Sequence, residues 1–97
     1  MPNANSVSIG EALVSYLRES GLEKPVLEVR VEEAWPRVMG TTVANLTRSV
    51  EVKDGVFIVH INSAALKAQL FENRFALVKK LNEAVGAQAI RDCRILG

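Results

Sequence analysis

The chain carries one cysteine and one histidine in 97 residues, and those two scarcities exclude most site chemistry. Cys93 by itself forms no internal disulfide. Together with His60 it falls short of the roughly four ligands that a zinc ion needs. The six glycines are scattered, so neither the dinucleotide-binding pattern nor the phosphate loop occurs. No apolar run approaches the ~20 residues required to cross a bilayer, and no membrane association is expected. The first residues, MPNANSVS, have neither a basic start nor an apolar stretch, so they do not read as a signal peptide. A cytoplasmic setting is the expectation.

What remains is a chain that is 48% apolar and 24% charged with a net charge of +1, a composition that argues against disorder. The length suits one domain: a loose tail over residues 1–7, then a single folded unit over residues 8–97. The small net charge hides a split. Residues 1–47 have a net of −2 and residues 48–97 a net of +3. A half this weakly basic is compatible with phosphate contacts but falls short of the footprint of a dedicated nucleic-acid binder.

Periodicity organises the chain as α-α-β-β-α-β, an α+β arrangement. Ser8 and Glu11 fit a capping box ahead of Ile9, Leu13, Tyr16 and Leu17, which share one helical face, and Gly21 ends that helix. Pro25 suits the first turn of a second helix with Leu27, Val31, Ala34, Trp35 and Val38 inward. Pro36 is expected to kink it or restart it before Gly40. Thr41 to Leu46 reads as a further short helical piece. Asp54-Gly55 predicts a type I′ hairpin, which pairs Lys53 with Val56, Val52 with Phe57 and Val50 with Val59. A long third helix then runs from an Asn62 or Ser63 cap to Val85, with Leu66, Leu70, Leu77, Leu81 and Val85 as its stripe, widened by Phe71 and Val78. Gly86 stops it. Ala89 to Leu96 is a last strand, parallel to the second, with Cys93 and Ile95 inward. The sum is a three-stranded mixed sheet with helices on one face.

Catalysis needs groups that converge, and this order disperses them. The hairpin register puts His60 beside Ser49 on the outer sheet face, while Cys93 points to the core, so no Cys–His pair assembles. Glu32 and Glu33 are helical neighbours and therefore diverge. No catalytic, cofactor or metal site is expected, nor any small-molecule substrate. Two features can carry binding instead. Trp35 is either a core anchor or an interface anchor, since tryptophan is enriched at binding hot spots. Lys67, Arg74, Lys79, Lys80, Arg91 and Arg94 are the candidate nucleic-acid contacts, although long basic side chains also lie over a core edge for structural reasons. Helical geometry sets Lys67 near Arg74, with Lys79 and Lys80 elsewhere. The outer sheet face offers no aromatic platform for bases.

From Trp35-Pro36-Arg37-Val38-Met39-Gly40 onward the sequence resembles a bacterial family. Val43-Ala44, Leu46-Thr47, the strand Gly55-Val56-Phe57-Ile58-Val59-His60-Ile61, Asn62-Ser63, Leu66, Leu70, Leu81-Asn82, Gly86, Ile90 and Ile95 continue the pattern. Over about residues 9–96 this is similar to the DciA-like family. The resemblance implies a K-homology-like fold and a role in chromosome replication as an adaptor that docks on the replicative DNA helicase and assists its loading. It also implies a weak DNA or RNA contact, and it maps the family's tryptophan to Trp35. The two-glycine K-homology loop is missing, because Asn62-Ser63-Ala64-Ala65 stands where the long helix begins. The basic extensions of many members are also absent from this sequence. A sequence-independent nucleic-acid binder and a homodimerising structural module are the alternatives.

Overall fold

Local chemistry decides most in the hairpin. In the computed structural model, which describes residues 9–97, Asp54 and Gly55 have φ of 53° and 79°. Two successive positive φ values are the mirror-image turn that matches strand twist. The turn joins β1 (Thr47–Lys53) to β2 (Val56–Ile61). Lys53 lies opposite Val56, Val52 opposite Phe57 and Val50 opposite Val59, as the turn chemistry predicts. An irregularity between Thr47 and Ser49 shifts the far end of the pairing. Parallel to β2 runs β3 (Asp92–Leu96), with Phe57 opposite Cys93 and Val59 opposite Ile95. The sheet is therefore mixed, in the order β1-β2-β3.

Alternation then sorts the side chains. Phe57, Val59, Ile61, Cys93 and Ile95 are buried, while Val56, Ile58 and His60 on the opposite face are half-buried. Five helices are found among the described residues: α1 (Ile9–Ser20), α2 (Glu23–Met39), α3 (Thr41–Asn45), α4 (Ala64–Glu72) and α5 (Arg74–Val85). The core joins Val31, Ala34 and Trp35 of α2 to Leu77, Leu81 and Val85 of α5 and to the inner sheet face. Trp35 is 1% exposed, and its ring lies 5.1 Å from that of Phe57 at a 38° tilt. Burying roughly 200 Å² of indole at ~25 cal/mol per Å² contributes up to about 5 kcal/mol. Asn82, the one buried polar residue described, spends its amide on the bend before β3. It accepts from the N–H groups of Ala89 and Ile90 and donates to the Ile90 carbonyl, all at 2.9 Å.

Several expectations change. The long third helix is two helices, broken at Asn73, whose amide donates to the Gln69 carbonyl at 2.8 Å. An asparagine that bonds its own preceding turn competes with the helical ladder. The break takes Phe71 out of the core stripe and leaves it 53% exposed. Helix α2 continues through Pro36 without a restart and ends where the Gly40 N–H bonds the Pro36 carbonyl at 2.9 Å. Gly40 has φ 88° and ψ 173°, a conformation almost reserved for glycine, which lets α3 follow at once. The last strand starts at Asp92, three residues later than expected, because Asn82 holds Ala89 and Ile90 in a bend.

The face of α1 predicted to be inward is not covered. Ile9 is 89%, Leu13 51% and Tyr16 62% exposed, and α1 packs mainly on α2. The side chain of Leu17, residue Ser8 of the predicted capping box and the tail over residues 1–7 lie outside the described residues. Other boundaries are as read. Ser63 caps α4 by accepting from the Leu66 N–H at 3.2 Å, and Gly86 closes α5 in the left-handed region. No helix among the described residues is long and apolar enough to cross a membrane.

Candidate partner-binding surface

The two residues with the most reactive side chains are kept apart. Cys93 is buried, and burial, assisted by the Asp92 carboxylate, pushes its thiol from the ordinary 9.0 up to about 12. Such a thiol is almost entirely neutral at physiological pH and a poor nucleophile. His60 lies on the other face, where it pairs with Ser49 and Leu96, and its Nδ1 sits 3.5 Å from the Gly97 carbonyl. Among the described residues no group of three or more His, Cys, Asp or Glu is placed to hold a metal ion.

Trp35 lies inside. Its indole N–H donates to Thr47 Oγ1 at 3.0 Å, and the Thr47 hydroxyl donates to the Val43 carbonyl at 2.8 Å. The chain of bonds ties α2, α3 and the start of β1 together. Any effect of Trp35 on a partner therefore passes through the position of that junction, because the ring itself is covered.

The six basic candidates do not form one patch. Lys67, Arg74 and Arg94 line two adjoining grooves beside β3. Lys80 instead lines a different groove with Met39, Val43 and Ala76, between α3 and the α4–α5 pair. Lys79 is exposed on α5. Arg91 is held at the hairpin, where its guanidinium donates to the Asp54 carbonyl and its backbone N–H to the Gly55 carbonyl at 2.8 Å.

The surface that does assemble lies where α4 and α5 meet β3. A groove of about 310 Å³ runs along Asp92, Cys93, Arg94, Ile95 and Leu96, walled by Phe71 and Arg74. It shares Phe71 and Ile95 with an adjoining, largely apolar pocket of about 360 Å³, which Ala64, Lys67 and Ala68 complete. The Arg74 guanidinium lies 4.4 Å from the centre of the Phe71 ring and 4.7 Å from that of Phe75, each contact worth about 0.5–1 kcal/mol at an exposed site. Phe75 is 70% exposed.

Sequence reasoning placed Lys67 beside Arg74 but missed the rings. Phe71 was assigned to the core and Phe75 to no role. The available signal was Phe71 and Phe75 at i, i+4 around Arg74, next to an asparagine that weakens the helix. An apolar floor, two exposed rings and three cations suit an acidic or phosphate-bearing partner with apolar or planar groups.

Comparison with known proteins agrees in extent with the resemblance noted above. The family model described as "Dna[CI] antecedent, DciA" matches residues 8–95. A UPF0232 protein of Mycobacterium tuberculosis is 30% identical over 89 residues, 92% of this chain and 48% of the relative. One from Streptomyces coelicolor is 28% identical over 93 residues, 94% of this chain and 49% of the relative. The chain thus spans about half the length of these curated relatives. With a match over nearly its whole length, the chain belongs to the DciA family.

Proposed function

We propose that the protein is a non-enzymatic binding domain that acts in chromosome replication as an adaptor for the replicative DNA helicase. Membership of a family described as the antecedent of Dna[CI] is the observation that carries the reading. The dispersal of reactive groups supports it: a thiol raised to about 12 on one sheet face and the histidine on the other offer no acid–base or nucleophilic pair. A K-homology-like fold belongs to the same proposal, as does a cytoplasmic site of action.

A weak DNA or RNA contact is the second part of the reading. Lys67, Arg74 and Arg94 with the open Phe75 ring favour it, since bases stack on exposed aromatics and phosphates attract cations. With three cations at one rim, binding should be weak and should fall steeply as salt rises. The test uses the purified replicative helicase of the same organism in co-sedimentation with this chain. Stable co-migration at micromolar concentrations is expected, and its consistent absence would overturn the adaptor reading. Titration with single- and double-stranded oligonucleotides at low salt decides the second part, and no binding in the micromolar range would remove it.

A further inference from the structure

Helix α1 is attached the wrong way round for an amphipathic helix. Ile9, Leu13 and Tyr16 share one side of it at i, i+4 and i+7, and all three are exposed. At 3.6 residues per turn, Glu11, Ser15 and Arg18 fall on the opposite side. That polar side is the one turned to the body. It borders a groove of about 530 Å³ shared with Arg30 of α2 and with Val85 and Gly86 at the end of α5. Arg18 also borders a second groove of about 440 Å³, which continues over Leu27, Gln88 and Ala89. A surface helix ordinarily does the reverse, because burial of the apolar stripe is what stabilises its contact with a core.

The attachment is also light and jointed. Only Gly21 and Leu22 separate α1 from α2. Gly21 has φ 74°, with no atom within 4 Å of where a Cβ would stand. Glycine reaches either sign of φ at little cost, so this joint can turn. Across it the Arg18 Nε donates to the Glu23 carboxylate at 2.9 Å, with the Arg18 side chain 68% exposed. An ion pair this open contributes little and weakens as salt rises. Beneath α1 the two grooves offer both room and apolar surface. Leu27 and Ala89 are half-buried there, and the uncovered part of Val85 lines the same space.

We propose that α1 is a hinged strap with a second seat on its own domain. It rolls about half a turn at Gly21 and Leu22, and Ile9, Leu13 and Tyr16 then cover Leu27, Val85 and Ala89. In the seat that the structure records, the apolar stripe is presented and the Arg18–Glu23 pair is a latch. In the second seat the stripe is hidden, and Glu11, Ser15 and Arg18 turn outward. Two seats on one short joint make a two-state element, whose balance a ligand or a change of salt can move. The body fits as the occupant because α1 already overlies it and the joint keeps that surface within reach. Other occupants fit less well. The stripe carries no cation for a phosphate. The helix has one basic residue, Arg18, against two acidic ones, Glu11 and Glu19, the opposite of a helix that lies on a membrane. Neither seat depends on the helicase reading.

Tyr16 is the one tyrosine of the chain, so its ring protons are a unique reporter. In the 97-residue chain, nuclear Overhauser contacts are expected from the Tyr16 ring to the methyl groups of Leu27, Val85 and Ala89. The recorded seat puts the ring on the far side of α1 from those methyls, so only the second seat brings them together. Glu23→Gln removes the latch and should raise these contacts roughly two- to fivefold, the shift that losing one exposed ion pair makes. Leu13→Glu sets a charge in the stripe and should abolish them, while contacts between Trp35 and Phe57 persist as the sign of a folded domain. Absence of the Tyr16 contacts from both the parent and Glu23→Gln would overturn the proposal. So would an intensity that Glu23→Gln leaves unchanged, or contacts that survive Leu13→Glu. A mixture of isotope-labelled and unlabelled chain covers the remaining case. Contacts found only between molecules would make a second copy the occupant and overturn the strap.

Discussion

At the β1 edge the Val52 N–H bonds Glu32, the pairing is irregular near Thr47, and the strand carries Arg48, Glu51 and Lys53 on exposed positions. At the β3 edge the neighbours are an apolar pocket, a half-buried guanidinium and an exposed phenyl ring. Charges, bulges and side-chain caps are the usual ways in which a sheet edge is kept from pairing with another chain. Both strands carry such a cap, since the Cys93 N–H of β3 bonds the Asp92 carboxylate at 2.8 Å; what differs is the flank, charged along β1 and a walled, partly apolar groove along β3.

The largest effect should come from the junction that anchors the β1 edge. Trp35→Ala removes the ring that holds α2 against Phe57 and Thr47, and should cost about 3–5 kcal/mol in urea unfolding. A loss below about 1 kcal/mol would mean that the start of β1 is fixed by something else. Next is the residue that positions β3. Asn82→Ala leaves the Ala89 and Ile90 amides and the Ile90 carbonyl without their partner, and a cost of about 2–3 kcal/mol is expected. The same variant should blur the amide shifts of β3 while leaving those of the hairpin intact. Glu32→Ala should cost about 1 kcal/mol, with a more telling consequence in sedimentation. An uncapped β1 edge should produce concentration-dependent self-association absent from the parent chain.

Cys93 reports on how dry the inner side of the β3 edge is. Its folded pKa of about 12 lies above the ordinary 9.0. The unfolded chain therefore loses the proton first, and the thiol's contribution to stability, complete below pH about 9, declines as pH rises toward 12. Unfolding free energies near pH 8 and pH 10 should diverge more in the parent than in Cys93→Val. Equal slopes would show the thiol to be solvated. The smallest effect on stability belongs to the rim itself. Phe71→Ala and Arg74→Glu should stay within about 0.5 kcal/mol of the parent, and a large loss would recast the exposed pair as structural.

The hairpin and its register were legible because two adjacent residues, Asp54 and Gly55, determine the turn, and the turn determines every pair along both strands. The inward positions of Cys93 and Ile95 followed from alternation alone. The separation of His60 from Cys93 was legible for the same reason. The break at Asn73 was not. Leu70 and Leu77 are seven residues apart, nearly two helical turns, so the apolar stripe reads as continuous whether or not the helix bends between them. Everything downstream of that ambiguity was hidden with it: the exposure of Phe71, the place of Phe75 and the groove against β3. Helix α1 shows the opposite limit. Its apolar spacing is clear, but periodicity identifies a face and does not say what covers it. Trp35 was readable only as a choice between core and interface, which packing against Phe57 and Thr47 resolves toward the core.

Amide hydrogen exchange of this chain with and without the purified replicative helicase tests the contrast between the two edges most directly. Protection gained at Asp92–Leu96 and along Ala64–Arg74, with β1 unchanged, is the predicted result. Protection gained along Thr47–Lys53 or on α1, with β3 exchanging as it does alone, would contradict the groove beside β3 as the partner-binding surface.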